Sequence, residues 1–259
     1  MSELTPEFLP FAEKLAREVG PMIVEENDRL TVVRFKADGT SLTDTDTNIN
    51  EYVIDTASRE RPGIGIYGEE GISAKGDEAH MMVFDPLDGT TGAEHEMDVS
   101  TFAAGETDEK GMKSALVFDP FKNRMFRAER GKGAFCNDEP IWVNDIAPSR
   151  KGTVIISEAD IAYHAAIKAS GAELVPLAGA CNRAMKLAMG MGRFCGIIQD
   201  NPSMFDVWPA SRIVQEAGGR VTDFNDQPLG FPGKVEGVIF SNGETTHHEL
   251  LEIVHSVRG

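Results

Sequence analysis

The chain has 259 residues, 41% hydrophobic and 26% charged, which is enough apolar material for one large globular domain or two closely packed halves and excludes a disordered chain. Its formal net charge of −17 excludes a nucleic-acid backbone as the expected partner, because gripping phosphates electrostatically needs clustered Lys and Arg. No run reaches the roughly 20 apolar residues of a membrane span, the N-terminus has no secretory pattern, and Cys136, Cys181 and Cys195 form neither an even disulfide set nor a Cys-x-x-Cys pair, so a cytosolic protein with buried thiols is expected.

Thr5 as N-cap, Pro6 at the first helical position and Phe8, Phe11, Leu15 and Val19 at helical spacing predict an amphipathic helix from about Pro6 to Asp28. A strand over Thr31 to Phe35 follows, then a turn at Asp38-Gly39. A second helix starts near Asp44 or Asp46 and runs to Arg59 with Ile49, Val53 and Ile54 inward. Gly63 to Tyr67 and Met81 to Phe84 read as short buried strands, each running straight into acidic residues. Strands over Thr101 to Glu106, Ser114 to Phe118, Arg124 to Glu129 and Gly133 to Cys136 complete an α+β half.

From Val154 the pattern alternates: strand Val154 to Ser157, helix Ala159 to Ser170, helix Cys181 to Met191, strand Phe194 to Gln199, helix Phe205 to Ala217, strand Val238 to Ser241 and helix Thr245 to Val257. Such alternation predicts an α/β half. Pro148, Ser149 and Gly152 interrupt the periodicity of Asn144 to Gly152, which divides the chain into 1–147, with most candidate ligands, and 148–259.

The segment Met81 to Thr91 carries the most chemistry. An apolar strand ends in Asp85-Pro86-Leu87-Asp88-Gly89-Thr90-Thr91, and two carboxylates three apart around a proline can converge on hard divalent cations. Gly89 and the amides after it could cradle a phosphate. Asp-Pro and Asp-Gly are also ordinary turn dipeptides, and Asp206 is equally suited to be a helix N-cap. Asp44-x-Asp46-x-Asn48 fails as a calcium loop, because Ile49 stands at the required glycine and Asp55 at the usual glutamate.

The whole heptad Asp85 to Thr91 resembles the metal-binding signature of the inositol monophosphatase and fructose-1,6-bisphosphatase superfamily. Gly68-Glu69-Glu70 looks like its Gly-Glu-Glu element and Thr43-Asp44-Thr45-Asp46 like its water-orienting segment. Phe205-Asp206-Val207 leading into Glu216-Ala217-Gly218-Gly219 resembles the second signature, and Arg130 to Asn137 a structural turn of the same family. The resemblance spans about Lys36 to Asn242 and implies a layered αβαβα sandwich of the sugar-phosphatase type.

It further implies hydrolysis of a small phosphate monoester by a water activated by two or three Mg²⁺ ions. Glu69, Asp85 and the Leu87 carbonyl would hold one ion and Asp85, Asp88 and Asp206 another, with Glu69 sharing a third. Asp46 and Thr90 would orient the water. Asp88, Gly89, Thr90, Thr91, Gln199, Asp200 and Asp206 would face the substrate. Lithium sensitivity and a homodimer are expected on the same ground, and Lys36 aligns with a lysine near the water network.

The chain departs from the family at the acidic loop Gly92 to Asp98, at Gln199 where a glutamate is usual, and at Trp208-Pro209 where small residues are usual. The ester is therefore open among inositol phosphate, histidinol phosphate, fructose 1,6-bisphosphate and 3′(2′),5′-bisphosphate nucleotides. A catalytically silent metal-binding protein is the alternative from another class. An aspartyl-phosphate mechanism is disfavoured, because it uses Asp-x-Asp and here two residues separate Asp85 from Asp88.

Overall fold

The computed structural model describes residues 7–27, 34–35, 41–42, 44–68, 71–74, 80–89, 98–157, 160–231 and 233–259. The predicted apolar stripe forms α1 (Phe8–Asn27), with Phe8, Phe11, Leu15 and Val19 all buried. After the short pair β1 (Arg34–Phe35) and β2 (Ser41–Leu42), α2 covers Asp44–Glu60 and buries Ile49 and Val53. Then come β3 (Gly65–Gly68), β4 (Gly71–Ala74), β5 (Met81–Asp88), β6 (Thr101–Asp108), β7 (Gly111–Asp119), β8 (Arg124–Glu129), β9 (Ala134–Cys136) and β10 (Glu139–Ile141). Among the described residues they make one eight-stranded sheet in the order β10-β9-β8-β7-β6-β5-β3-β4, antiparallel except where β3 runs parallel to β5.

The second sheet has the order β12-β11-β13-β15-β14, from β11 (Thr153–Ile156), β12 (Glu173–Pro176), β13 (Phe194–Asp200), β14 (Arg220–Asp223) and β15 (Gly237–Ser241). The helices of this half are α3 (His164–Ala169), α4 (Ala180–Ala188), α5 (Met204–Glu216) and α6 (Glu244–Arg258). Strand alternation sorts the side chains into three cores. Met82, Phe84, Phe102 and Leu116 pack under α1 and α2. Val83, Ala103 and Val117 face the opposite way and meet α4, α5 and the inner face of the second sheet, including Ile155, Ile197 and Phe240. Val154, Ile198 and Ile239 pack outward against α3 and α6. The order is helix, sheet, helix, sheet, helix, as expected, with both sheets mixed.

Several expected elements shift for local reasons. The helix expected over Ala159 to Ser170 is a 3₁₀ turn over Ile161–Tyr163 followed by α3, because the Asp160 carboxylate takes the Ser157 amide at 3.1 Å and the Asp200 amide at 3.2 Å and fixes the chain before it can wind. β10 was not expected. It returns from β9 through Asn137 and Asp138, at φ 49° and 71°, the two positive angles of a tight hairpin. β4, β12 and β14 were not expected either, and all three are short edge strands. The strand expected over Thr31 to Phe35 is seen at Arg34–Phe35, and its first residues lie outside those described. Among the described residues no helix is long and apolar enough to cross a membrane.

His247 of α6 is fully buried, with Nε2 2.8 Å from the Thr222 hydroxyl and Nδ1 2.9 Å from the Ser241 hydroxyl. Burial, helped by nearby Arg220, pulls its pKa from 6.5 down to about 4. The unfolded chain therefore binds this proton more readily, so the stability is present above pH 6.5 and drains as pH falls toward 4, by ~3 kcal/mol in all. His247→Gln is expected to flatten that slope in urea unfolding midpoints measured from pH 7 to 4; an unchanged slope would assign acid sensitivity elsewhere.

Candidate active site

β5 is buried along its length, and its register against β6 slips near its end: Asp85 pairs with Ala103 and Asp88 with Thr101. Three steps along β5 thus span two along β6, which is a one-residue bulge. In a regular strand Asp85 and Asp88 would point to opposite faces. The extra residue cancels one alternation and turns both carboxylates toward the middle helical layer. Pro86, which has no N–H to give a ladder, falls where sheets tolerate proline. The Leu87 amide donates to Asp85 Oδ1 at 3.0 Å, and the Leu87 side chain enters the core under α1 and α2.

Asp206 arrives from the first turn of α5, where the helix dipole favours a carboxylate. One carboxylate oxygen from each of Asp85, Asp88 and Asp206 lies within 4.8 Å of the others, and all three residues are buried. Asp88 is firmly held. Its Oδ1 accepts from the Ala180 amide at 2.9 Å, and its Oδ2 from the Cys181 amide at 3.0 Å and the Thr101 hydroxyl at 2.9 Å. Those amides are the opening donors of α4, which no turn of the helix itself can satisfy. Gly89 (φ +89°) and Gly179 (φ +75°) let the two segments touch: a Cβ on Gly89 would lie 3.3 Å from the Gly179 Cα.

Burial raises the pKa of Asp88, opposed by the Thr101 hydroxyl, the Ala180 amide, Arg183 and the Cys181 amide. Burial also pushes the Cys181 thiol well above its usual value, reinforced by Asp88, Asp206 and Asp85, so it stays neutral and donates to the Asp206 carbonyl at 3.4 Å. Three ionised carboxylates buried this closely repel one another unless a cation joins them. An all-oxygen set of this kind suits a hard divalent ion such as Mg²⁺. A carboxylate has about four acceptor positions, and the three bonds to Asp88 leave one on Oδ1 for that ion.

Asp46 sits partly buried in the first turn of α2, which packs on β3 and β5. Gly89 directly follows β5. Gln199 and Asp200 end β13, and Asp200 Oδ1 accepts from the Tyr163 hydroxyl at 2.9 Å and from Arg258 at 3.0 Å. Lys36, Thr43, Glu69, Thr90, Thr91 and the loop from Gly92 to Met97 lie outside the described residues. Trp208, which stands where small residues are usual in the family, is buried against Phe231, with ring centroids 4.6 Å apart. Two motifs noted separately in the sequence close on each other, since the Gly131 and Gly133 amides donate to Glu216 at 2.9 and 3.0 Å. Sequence reading did not find Thr101, Arg183 or the opening amides of α4. The one local sign was Gly179 preceding a helical pattern, because the pairing with Asp88 spans 92 and 93 residues.

The model of the inositol monophosphatase family matches residues 5–258. A fructose-1,6-bisphosphatase/inositol-1-monophosphatase of Thermotoga maritima is 28% identical over 96% of this chain and 96% of that protein. A histidinol-phosphatase of Chlorobaculum parvum is 28% identical over 98% of this chain and 99% of its own length. A putative Nus factor SuhB of Neisseria meningitidis is 30% identical over 85% and 88%. Among solved structures, a Thermotoga maritima IMPase superposes with a TM-score of 0.87 at 27% identity, covering 96% of this chain and 97% of that one.

Mg²⁺ is expected to raise the melting temperature of the wild type, by an amount equivalent to about 2.7 kcal/mol at a hundredfold excess over Kd. Asp206→Asn removes one of three repelling charges. It should leave the metal-free protein at least as stable while sharply reducing the Mg²⁺-induced rise, and a full rise in that variant would exclude the triad as the cation site.

Proposed function

The chain belongs to the inositol monophosphatase family, and on that premise we propose that it is a Mg²⁺-dependent phosphatase hydrolysing a small phosphate monoester by direct attack of water. The observation that carries this reading is the buried convergence of Asp85, Asp88 and Asp206 on one point in a frame of hydrogen bonds. Asp85, Asp88 and Asp206 would hold one ion, and Asp85, the Leu87 carbonyl and Glu69 another. Bound there, divalent ions lower the pKa of water and offset charge on the attacking and leaving oxygens.

The remaining work falls to the chain. Asp46 and Thr90 orient the attacking water, and Asp46 accepts its proton. Amides from Gly89 through Thr91 hold the phosphoryl oxygens. Gln199 lines the leaving-group side, where an amide can donate as well as accept. Asp200, with Oδ1 committed to Tyr163 and Arg258, offers its second oxygen. The relatives are named for different activities, so family membership supports the reaction class and leaves the ester to be measured.

Phosphate release should be measured from inositol 1-phosphate, fructose 1,6-bisphosphate, histidinol phosphate and adenosine 3′,5′-bisphosphate, with Mg²⁺ and with chelator. The expected result is strong turnover of at least one ester that chelation abolishes. Silence across the panel with Mg²⁺ demonstrably bound would favour a non-catalytic metal-binding protein. Thr90→Ala is expected to cut kcat by about 100-fold with little change in Mg²⁺ affinity; equal losses in both would make Thr90 structural.

A further inference from the structure

α4 carries a buried arginine to which the proposed reaction gives no part. Arg183 retains 4% exposure, and its Nε and Nη1 find no hydrogen-bond acceptor among the described residues. Native proteins rarely leave buried donors unsatisfied, least of all charged ones. Arg183 lies in the first turn of α4, next to the Ala180 and Cys181 amides that bind Asp88, and its guanidinium lies in the field of Asp88, Asp160 and Asp206. Two of these carboxylates have other partners. Asp88 accepts from Thr101, Ala180 and Cys181, and Asp160 from the Ser157 and Asp200 amides. The opening amides of α4 are taken by Asp88, which leaves the guanidinium with donors to spare beside the site. Once cations neutralise the triad, its positive charge is also left uncompensated on that side.

We propose that Arg183 binds a phosphate group of the substrate through one of these unpaired donors and so contributes to ester selection. Nε–H and Nη1–H leave the planar guanidinium in different directions, so one phosphate takes one of them, in a charge-assisted hydrogen bond to a phosphate oxygen. The phosphate is either the one transferred or a second one on the leaving group. The inference rests on the phosphatase reading.

The test compares wild type, Arg183→Met and Arg183→Lys by calorimetric titration with inorganic phosphate in the presence of Mg²⁺, alongside melting temperatures and KM for inositol 1-phosphate and fructose 1,6-bisphosphate. Arg183→Met should weaken phosphate binding at least tenfold, the equivalent of about 1.4 kcal/mol. With Mg²⁺ bound and phosphate absent, the melting temperature should hold or rise, because the cations already neutralise the triad and an unpaired buried charge has gone. Arg183→Lys should fall between the two, keeping the charge and losing the fixed planar donors. Wild-type phosphate affinity in Arg183→Met overturns the proposal; if that variant does not fold, wild-type affinity in Arg183→Lys does so. An equal rise in KM for both esters assigns Arg183 to the transferred phosphoryl group, and a rise confined to the bisphosphate assigns it to the second. A wild type that neither binds nor releases phosphate overturns the phosphatase reading itself, and the proposal with it, in the control alone.

Discussion

The carboxylate of Asp88 joins the end of β5 to Thr101 on β6 and to the opening amides of α4, across more than ninety residues of chain. A buried anion is unfavourable unless donors surround it. Here the donors are groups that also need an acceptor, the unpaired N–H groups of a helix start. Each side of the contact removes the other's penalty. The carboxylate triad and the seam between the first sheet and the middle helices are therefore one construction, and neither can be rearranged alone.

Other contacts hold the second ligand-bearing element at the right height. Phe205 and Trp208 flank Asp206 in sequence, and Tyr67 lies 4.9 Å from Phe205 and 5.9 Å from Trp208 between ring centroids. Aromatic pairs of this kind contribute about 0.5–1.5 kcal/mol each beyond their burial. The Trp208 indole donates to the Gly230 carbonyl at 3.0 Å. Tyr67 belongs to β3, so one cluster braces that strand and the helix start that bears Asp206. At the far end of α5, Glu216 receives the Gly131 and Gly133 amides. Both ends of that helix are thus pinned to the first sheet.

Long periodic elements were legible in the amino-acid sequence. The stripe of α1, the strand Arg124–Glu129 and the helices around Asp206 and in the last fifteen residues lie within two residues of where periodicity puts them. Edge strands were not, because β12 is half-exposed on both faces and carries no apolar alternation. The Asn137-Asp138 hairpin was readable in principle and was missed. Of the site, Asp85, Asp88 and Asp206 could be named from local motifs. What local motifs could not supply was the third dimension: which helix Asp88 caps, and that a buried arginine lies beside it.

The bulge in β5 makes the site sensitive to chain length in a way that side-chain chemistry does not reveal. Its function is a matter of parity, since one supernumerary residue decides on which face of the sheet Asp88 emerges. Ironing out the bulge while keeping all three steps would turn Asp88 toward Phe84, Phe102 and Leu116, the oily side of the sheet, whereas deleting one intervening residue would leave a regular strand with both carboxylates on the same face. Exchanging Leu87 for another apolar residue leaves the bulge in place, whereas a change in residue count there has to be absorbed by the register. Drift in length is confined to the loops, where an added residue changes reach and leaves the handedness of the site untouched.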